Sequence, residues 1–389
     1  MNFNLNERTI FLVVSGSQAY GFASPDSDWD YRGIAIPPFD SYIGILDKFE
    51  QIVDSDKNKH VYTHYPEGLV QTDSDMQVME LTKFIGLAAQ GNPSIIEILF
   101  TDPDFYVIKH TIMDRLLDNK HLFLSKSIKS RFCGYALSQL HRLQRHKRWL
   151  DFPPTHKPTR VEFGLPEHGL ISSDQIGAAE ALIQKEIDTF MIEQTHLPED
   201  TKIELNVGLG KMMRSIWVEL HRDIKYPIGP GKLYESTKDV LYWGAAHDQG
   251  FSENFLEVLN KEKKYRAAMR EWDSYQHWLI NRNPKRAEIE KKWGIDLKHA
   301  THLVRLIRMC REILETGEVN VYRRDAEELR AIRNGAWTYE QIVEFAEKED
   351  EALNDVVQKS ILPKIPDMHK IHNLAVSMVV DFNAKYAKN

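Results

Sequence analysis

Residues 14–33 read VSGSQAYGFASPDSDWDYRG, and this stretch decides the fold of the N-terminal part of the chain. An apolar run from Ile10 to Val14 leads into Gly16-Ser17, and after a connection aspartates recur at every second position, Asp26, Asp28 and Asp30. Two familiar phosphate or metal motifs can be tested against it. A P-loop needs Gly, four residues, then Gly-Lys-Ser/Thr. Gly16 and Gly21 have that separation, but Phe22 and Ala23 follow, so the phosphate-binding cation is missing. An EF-hand loop starting at Asp26 needs Gly at its sixth position and Glu at its twelfth, where this chain has Tyr31 and Pro37. A third pattern is met throughout: a strand, a Gly-Ser, a short connection, then Asp28-Trp29-Asp30 on the next strand.

Residues i and i+2 of a strand share a face, so Asp28 and Asp30 converge while Trp29 packs on the other side. Two convergent carboxylates suit magnesium, a hard cation that bridges protein oxygens to nucleotide phosphates during phosphoryl or nucleotidyl transfer. Gly16 lets backbone approach the phosphates, and Ser17 adds a hydroxyl and an N–H. Asp26 belongs with Ser-Pro-Asp-Ser to the turn that delivers the strand. The competing reading is a polar turn with a chance pair of aspartates, since these residues are also good turn formers.

Outward from this motif, the 389 residues, 42% hydrophobic and 28% charged, suffice for more than one folded domain. A net charge of −7 gives no general attraction for nucleic acid, so any such contact needs a local basic patch. Cys133 and Cys310 are the only cysteines, which fits a reducing, cytoplasmic compartment and excludes a cysteine-rich zinc site. The run Ile10 to Val14 is too short to span a membrane and reads as a buried strand. "TIFLVV", "DYRGIAI", "HVYTHY" and "DMQVMEL" read as strands. In "MELTKFIGLAAQGNPSIIEILF", Gly91-Asn92-Pro93 reads as a helix stop and a new start. Residues 111–150 read as helical, and 151–160, with Pro153, Pro154 and Pro158, as a loop. Helical spacing returns in "SSDQIGAAEALIQKEIDTFMIEQ", "NVGLGKMMRSIWVELHRDI" and "KHATHLVRLIRMCREILETG".

The Gly-Ser followed by a two-carboxylate strand resembles the DNA polymerase β-like nucleotidyltransferase superfamily. "ELTKFIGLAAQGNPSIIEILF" (80–100), "HKRWLDFPPTHKPTRVEFGLPE" (146–167) and "DLKHATHLVRLIRMCREILETGEVNVYRRDAEELRAIRNGAWTYEQ" (296–341) are similar to blocks of the RlaP-like nucleotidyltransferases of bacterial and phage RNA-repair pathways. The resemblance implies an α+β fold: an N-terminal nucleotidyltransferase α/β domain with a mixed sheet, residues 1–110, then a larger, mainly α-helical substrate-binding region, 111–389. It is thinnest around 170–290, where an insertion is expected. It also implies a third acid on a neighbouring strand, for which Asp73, Asp75 and Glu80 are the candidates. Asp75 is preferred: with Met76 and Val78 facing the core, Asp75 faces the other way, as a metal ligand or as the base for an incoming hydroxyl, whereas Glu80 begins the next helix.

On the helix containing "KHATHLVRLIRMCREILETG", Leu303, Leu306, Ile307, Cys310, Ile313 and Leu314 form the apolar stripe. Lys298, His302 and Arg305 share an adjoining stripe that is a candidate to meet a triphosphate; a solvated helix flank is the alternative. His299 falls in the apolar sector and reads as a hydrogen-bonded core histidine. Between Lys126 and Arg160 nine Lys or Arg face a single acid, Asp151, with Phe132, Tyr135, Trp149 and Phe152 interleaved. Arg142, Arg145, Lys147, Arg148, Lys157 and Arg160 are therefore the candidate nucleic-acid contacts, although Trp149 and Phe152 also suit a helix–loop core.

The expectation is a transferase that moves a nucleoside monophosphate from a nucleoside triphosphate to a hydroxyl. Asp28, Asp30 and Asp75 would hold two Mg2+ ions and Gly16 and Ser17 the leaving pyrophosphate. The resemblance suggests an RNA end, that of a tRNA among them, as acceptor and an RNA ligase of the same pathway as a partner; no membrane is expected. Two other readings stay open: an RNA-binding partner of a repair ligase that keeps the fold as scaffold, and nucleotidylation of a protein or small molecule.

Overall fold

The computed structural model describes residues 3–25, 27–45, 48–54, 60–72, 74–169, 171–190, 246, 249–282 and 284–386. Asp26, Asp73 and the helix expected over 206–224 lie outside the described residues. Contacts divide the chain into two compact units, Met1–Phe152 with Asn283–Asn389, and Pro153–Arg282. No helix among the described residues is long and apolar enough to cross a membrane.

The first unit is built on a five-stranded mixed sheet in the order β3-β4-β2-β1-β5. The strands are β1 Thr9–Ser15, β2 Asp30–Ala35, β3 Gln51–Val53, β4 Asp75–Glu80 and β5 Tyr106–Lys109. β1 runs antiparallel to β2 and to β5, β3 antiparallel to β4, and β2 parallel to β4. A short apolar run with no polar alternation suits a strand covered on both faces. Ile10, Phe11, Leu12 and Val13 of β1 are accordingly fully buried. One face carries the larger core, shared with helices from both ends of the chain; the other carries a small core around Leu12, Tyr31, Met76 and Val78. The order brings the end of β1 and the starts of β2 and β4 to one edge, with Ser15 opposite Asp30 and Asp30 opposite Asp75.

"HVYTHY" is not a strand. Val61–His64 is a tight 3-10 turn entered through His60, whose φ of 72° is left-handed. Its alternating pattern imitates a strand, but local side-chain bonds decide otherwise. Asp54 accepts from the Val61 N–H at 2.8 Å and from the Met76 N–H at 3.1 Å, which ties the turn to β4. The partner of β4 on that side is Gln51–Val53 instead. Replacing Asp54 by alanine strands both donors and is expected to cost about 2 kcal/mol in urea unfolding; an unchanged midpoint would show that the clamp is dispensable.

Helix punctuation follows the sequence. Leu81–Ala89 ends before Gly91, and Pro93–Leu99 starts with Asn92 accepting from the Ile95 N–H. Asp296 caps Leu297–Thr316 through the N–H groups of Lys298 and His299, and Gly317, with φ of 75°, ends it. Leu303, Leu306, Ile307, Cys310, Ile313 and Leu314 are buried as their spacing requires. This helix packs against Ile128–Asp151 and Tyr339–Lys359. The second unit contains Ser173–Phe190 and Glu253–Asn281 around a small core of Ile171, Ile176, Ile183 and Leu259.

Candidate functional site

A cavity of about 990 Å³ opens in the first unit at the sheet edge where β1 ends and β2 and β4 begin. Gly16, Ser17, Asp28, Asp30 and Asp75 line it from the sheet side, and Arg142, Lys298 and His302 from the helices.

Gly16 opens the short Gly16–Ala19 helix with φ of 66°. A Cβ there would fall 2.2 Å from Asp30 Oδ2. The absent side chain is therefore what allows the Asp30 carboxylate to lie against the Gly-Ser turn, a closer reason for glycine than phosphate approach. Gly16→Ala is expected to lose about 1–2 kcal/mol to the left-handed backbone alone and to push Asp30 out of place. A thermal melt and a transfer assay on that variant should both fall; a normal melt with normal activity would remove the turn from the site.

Asp30 starts β2 and stands in parallel register with Asp75 at the start of β4. Asp28 is not on the strand: it lies exposed in the loop just before it. The i, i+2 partner of Asp30 along β2 is Arg32, a residue that sequence reading passed over. Its Nη2 lies 3.3 Å from Asp75 Oδ2 and 3.9 Å from Asp30 Oδ1, and its Nη1 donates to the Asp75 carbonyl at 3.1 Å. Burial holds the Asp30 carboxyl above the usual carboxylate range; Arg32 opposes this, Asp75 adds to it, Lys298 opposes it and Asp28 adds to it. Among the described residues no three carboxylate, imidazole or thiolate groups are gathered closely enough to hold one ion. Arg32 is the cation that lies between Asp30 and Asp75. Trp29 stacks on Tyr31, with ring centroids 6.3 Å apart.

Glu80 does not reach the cavity. It caps Leu81–Ala89, accepting from the Thr82 and Lys83 N–H groups and from the Tyr42 hydroxyl.

The helical stripe separates. Lys298 is exposed and lines the cavity, and His302 lines it too. Arg305 does not: it is fully buried, its Nη1 donates to Glu97 Oε1 at 2.6 Å, and its guanidinium lies 3.8 Å from the Tyr20 ring centre. It is a core cation, and the expectation that it meets a triphosphate is corrected by that burial. His299 lines the cavity instead of the core, with Nε2 3.5 Å from Asp296 Oδ2. Further lining residues had no local sequence signal: Tyr62 and His60 from the 3-10 turn, and Arg333 at the end of Ala326–Arg333.

Residues 3–151 match the family model described as RNA repair pathway DNA polymerase beta family. Over these residues the chain is similar to that family. It is 28% identical over 137 residues to an uncharacterized 38.9 kDa protein of the nrdC-mobD intergenic region of Enterobacteria phage T4, covering 34% of this chain and 38% of that protein. It is 30% identical over 99 residues to the uncharacterized protein YcgL of Bacillus subtilis strain 168, covering 25% of this chain and 33% of that one. The chain thus spans about a third of the length of each of these relatives. No solved structure matches. For the matched region this similarity suggests a nucleotidyltransferase-like role in RNA repair. The matched region carries the Gly-Ser turn and all three candidate acids, while Lys298 and His302 lie beyond it.

The basic island falls into two parts. Arg142, Arg145, Lys147 and Arg148 are on the Ile128–Asp151 helix of the family region. Arg142 lines the cavity, Arg145 lies 5.3 Å from the Trp149 ring centre, and Lys147 pairs with Asp151 at 2.8 Å. Trp149 and Phe132 are buried, so they pack rather than stack on bases, whereas Tyr135 is 42% exposed and lines the cavity. Lys157 and Arg160 belong to the second unit. Arg160 is engaged there: it donates to both carboxylate oxygens of buried Glu262 and, through Nε, to the Pro166 carbonyl at 2.7 Å. Its assignment as a nucleic-acid contact is corrected, because leaving Glu262 would strand a buried charge.

Proposed function

We propose that the protein is a magnesium-dependent nucleotidyltransferase that moves a nucleoside monophosphate from a nucleoside triphosphate to a hydroxyl of an RNA end in RNA repair. The observation that carries this reading is the meeting, on one cavity, of the Gly16-Ser17 turn, the acids Asp28, Asp30 and Asp75, and the cations Lys298 and Arg142. The donor type suits magnesium, since three carboxylates with hard oxygen donors line one cavity, although among the described residues no three such groups stand close enough to share one ion. Burial, with Asp75 and Asp28 adding, raises the Asp30 carboxyl, a cost that a divalent cation would relieve. Asp28, Asp30 and Asp75 would hold the ions, which when bound supply charge neutralisation at the reacting phosphate.

The chain's own groups do the remaining work. Gly16 and Ser17 offer backbone N–H groups and a hydroxyl to the β- and γ-phosphates. Lys298 and Arg142 counter the tail's charge from the helical wall. The acceptor oxygen bonds to the α-phosphorus while the α–β anhydride P–O bond breaks; pyrophosphate leaves with that electron pair, and Asp75 takes the acceptor proton.

Incubation with magnesium, each labelled nucleoside triphosphate and pools of RNA tests the reading beside an Asp28→Ala, Asp30→Ala variant. Label on RNA from the wild type alone supports it. Arg32 between Asp30 and Asp75 favours one competing reading, an RNA-binding scaffold whose acids are neutralised internally. Equal RNA binding by both proteins with no transfer would select that scaffold; label on protein or a small molecule would move the acceptor.

A further inference from the structure

The cavity wall contributed by the Leu297–Thr316 helix contains an imidazole whose protonation is dictated from behind. Arg305 Nη2 lies 2.9 Å from His302 Nδ1. A guanidinium has donors only and keeps its charge at any working pH, so Nδ1 must supply the lone pair. The one proton of the neutral ring is then on Nε2. A second proton, on Nδ1, would set donor against donor and cation against cation.

The groups around His302 reinforce this. Its own helix presents Lys298, His299 and Arg305, all neutral or positive toward it. Ile128–Asp151 presents Tyr135, edge to face with ring centroids 5.5 Å apart. The nearby carboxylate, Glu97 on Pro93–Leu99, is taken up by Arg305 and by the Tyr20 hydroxyl, which donates to it at 2.5 Å. Burial, then Arg305, His299 and Lys298, push the His302 pKa down to about 3. Arg305 itself is fixed between Glu97 and the face of Tyr20, the residue that ends the Gly16–Ala19 helix. One buried guanidinium thereby backs both the Gly-Ser turn and the histidine.

We propose that His302 meets the nucleotide as a neutral imidazole whose Nε2–H donates to an uncharged acceptor of the nucleoside, a base or ribose atom, and that Arg305 is the positioning residue that sets this tautomer. The proposal rests on the nucleotide reading above and deepens it: His302 reads the nucleoside, while Lys298 and Arg142 meet the phosphates. A cationic His302 on the triphosphate is excluded by the same geometry.

The test compares inorganic tripolyphosphate with each nucleoside triphosphate as ligands for the wild type, His302→Phe and His302→Gln, by calorimetry. His302→Phe is expected to weaken the preferred nucleotide by about tenfold, the worth of one buried neutral hydrogen bond, and to leave tripolyphosphate unchanged. His302→Gln, which keeps a donor, should recover part of the loss. In 15N-histidine-labelled wild type, the His302 signals, assigned with His302→Gln, should show a protonated Nε2, a bare Nδ1 and no titration across neutral pH. Equal weakening of both ligands by His302→Phe, or a His302 titration in that range, would overturn the proposal. Failure of the wild type to bind either ligand would overturn the nucleotide reading, and the nitrogen signals would still decide the tautomer.

Discussion

Replacing Asp30 by asparagine is expected to lower transfer by about a thousandfold while leaving the fold at least as stable as before. The first half rests on the magnesium reading proposed above and takes the worth of metal-borne charge stabilisation, several kcal/mol at about 1.4 kcal/mol per tenfold. The asparagine keeps the shape that fits against Gly16 but loses the charge. The second half follows from the direction of the carboxyl's shift. Burial raises the folded pKa of Asp30, and Asp75 and Asp28 add to that effect. Below the unfolded value the group is protonated in both states, and the substitution changes little. Above the raised folded value the wild type carries a charge that the fold penalises and the variant does not. The melting temperature of the variant relative to wild type should therefore rise with pH through that window, measured in chelator. Added magnesium should then raise the wild-type melting temperature and leave Asp30→Asn unmoved, since a ligand stabilises only the state that binds it. An equal magnesium shift in both proteins would remove Asp30 from the ion's ligands.

The parts of the molecule that were legible in sequence are those whose physics is local. β1 is readable because a short unbroken apolar run rich in β-branched and aromatic residues suits a strand covered on both faces, and Gly91-Asn92-Pro93 because each residue has a fixed place in ending or starting a helix. The meeting of Asp30 with Asp75 was readable from strands that are neighbours in the sheet, whereas the strand spacing proposed for Asp28 and Asp30 was not: Asp28 lies in the loop before β2, and the same-face partner of Asp30 along β2 is Arg32. β3 was missed since three residues, Gln51–Val53, carry too short a pattern. "HVYTHY" was misread because its alternation outweighed a clamp, Asp54, that lies outside the segment. Helical arithmetic grouped Lys298, His302 and Arg305 correctly by angle, yet it says nothing of what another element lays over each of them. Lys298 was left facing the cavity, and Arg305 was covered by Glu97, 208 residues away in sequence.

That covering sets the largest stability effect expected in the protein. Arg305→Met should cost about 3–5 kcal/mol in urea unfolding, the range for breaking a buried ion pair by removing one partner. Glu97, 6% exposed, would be left among the described residues with the Tyr20 hydroxyl as its side-chain hydrogen-bond partner and no cation, and the Tyr20 ring would lose the cation held 3.8 Å from its centre. Methionine fills much of the vacated length, so the loss reports charge and hydrogen bonding more than a cavity. Adding Glu97→Leu to Arg305→Met removes the stranded carboxylate, and the double variant should be more stable than the sum of the single losses allows. A loss under about 1 kcal/mol for Arg305→Met would mean that water reaches Glu97 and that the pair is not the buried joint described above. The joint binds the Pro93–Leu99 helix beside the sheet to the Leu297–Thr316 helix from the far end of the chain, and Tyr20 extends it to the Gly-Ser turn. A cavity assembled from both stretches depends on it: Asp30 and Asp75 come from the sheet, Lys298 and Arg142 from the helices, and the Arg305–Glu97 pair is a charged contact that fixes one against the other.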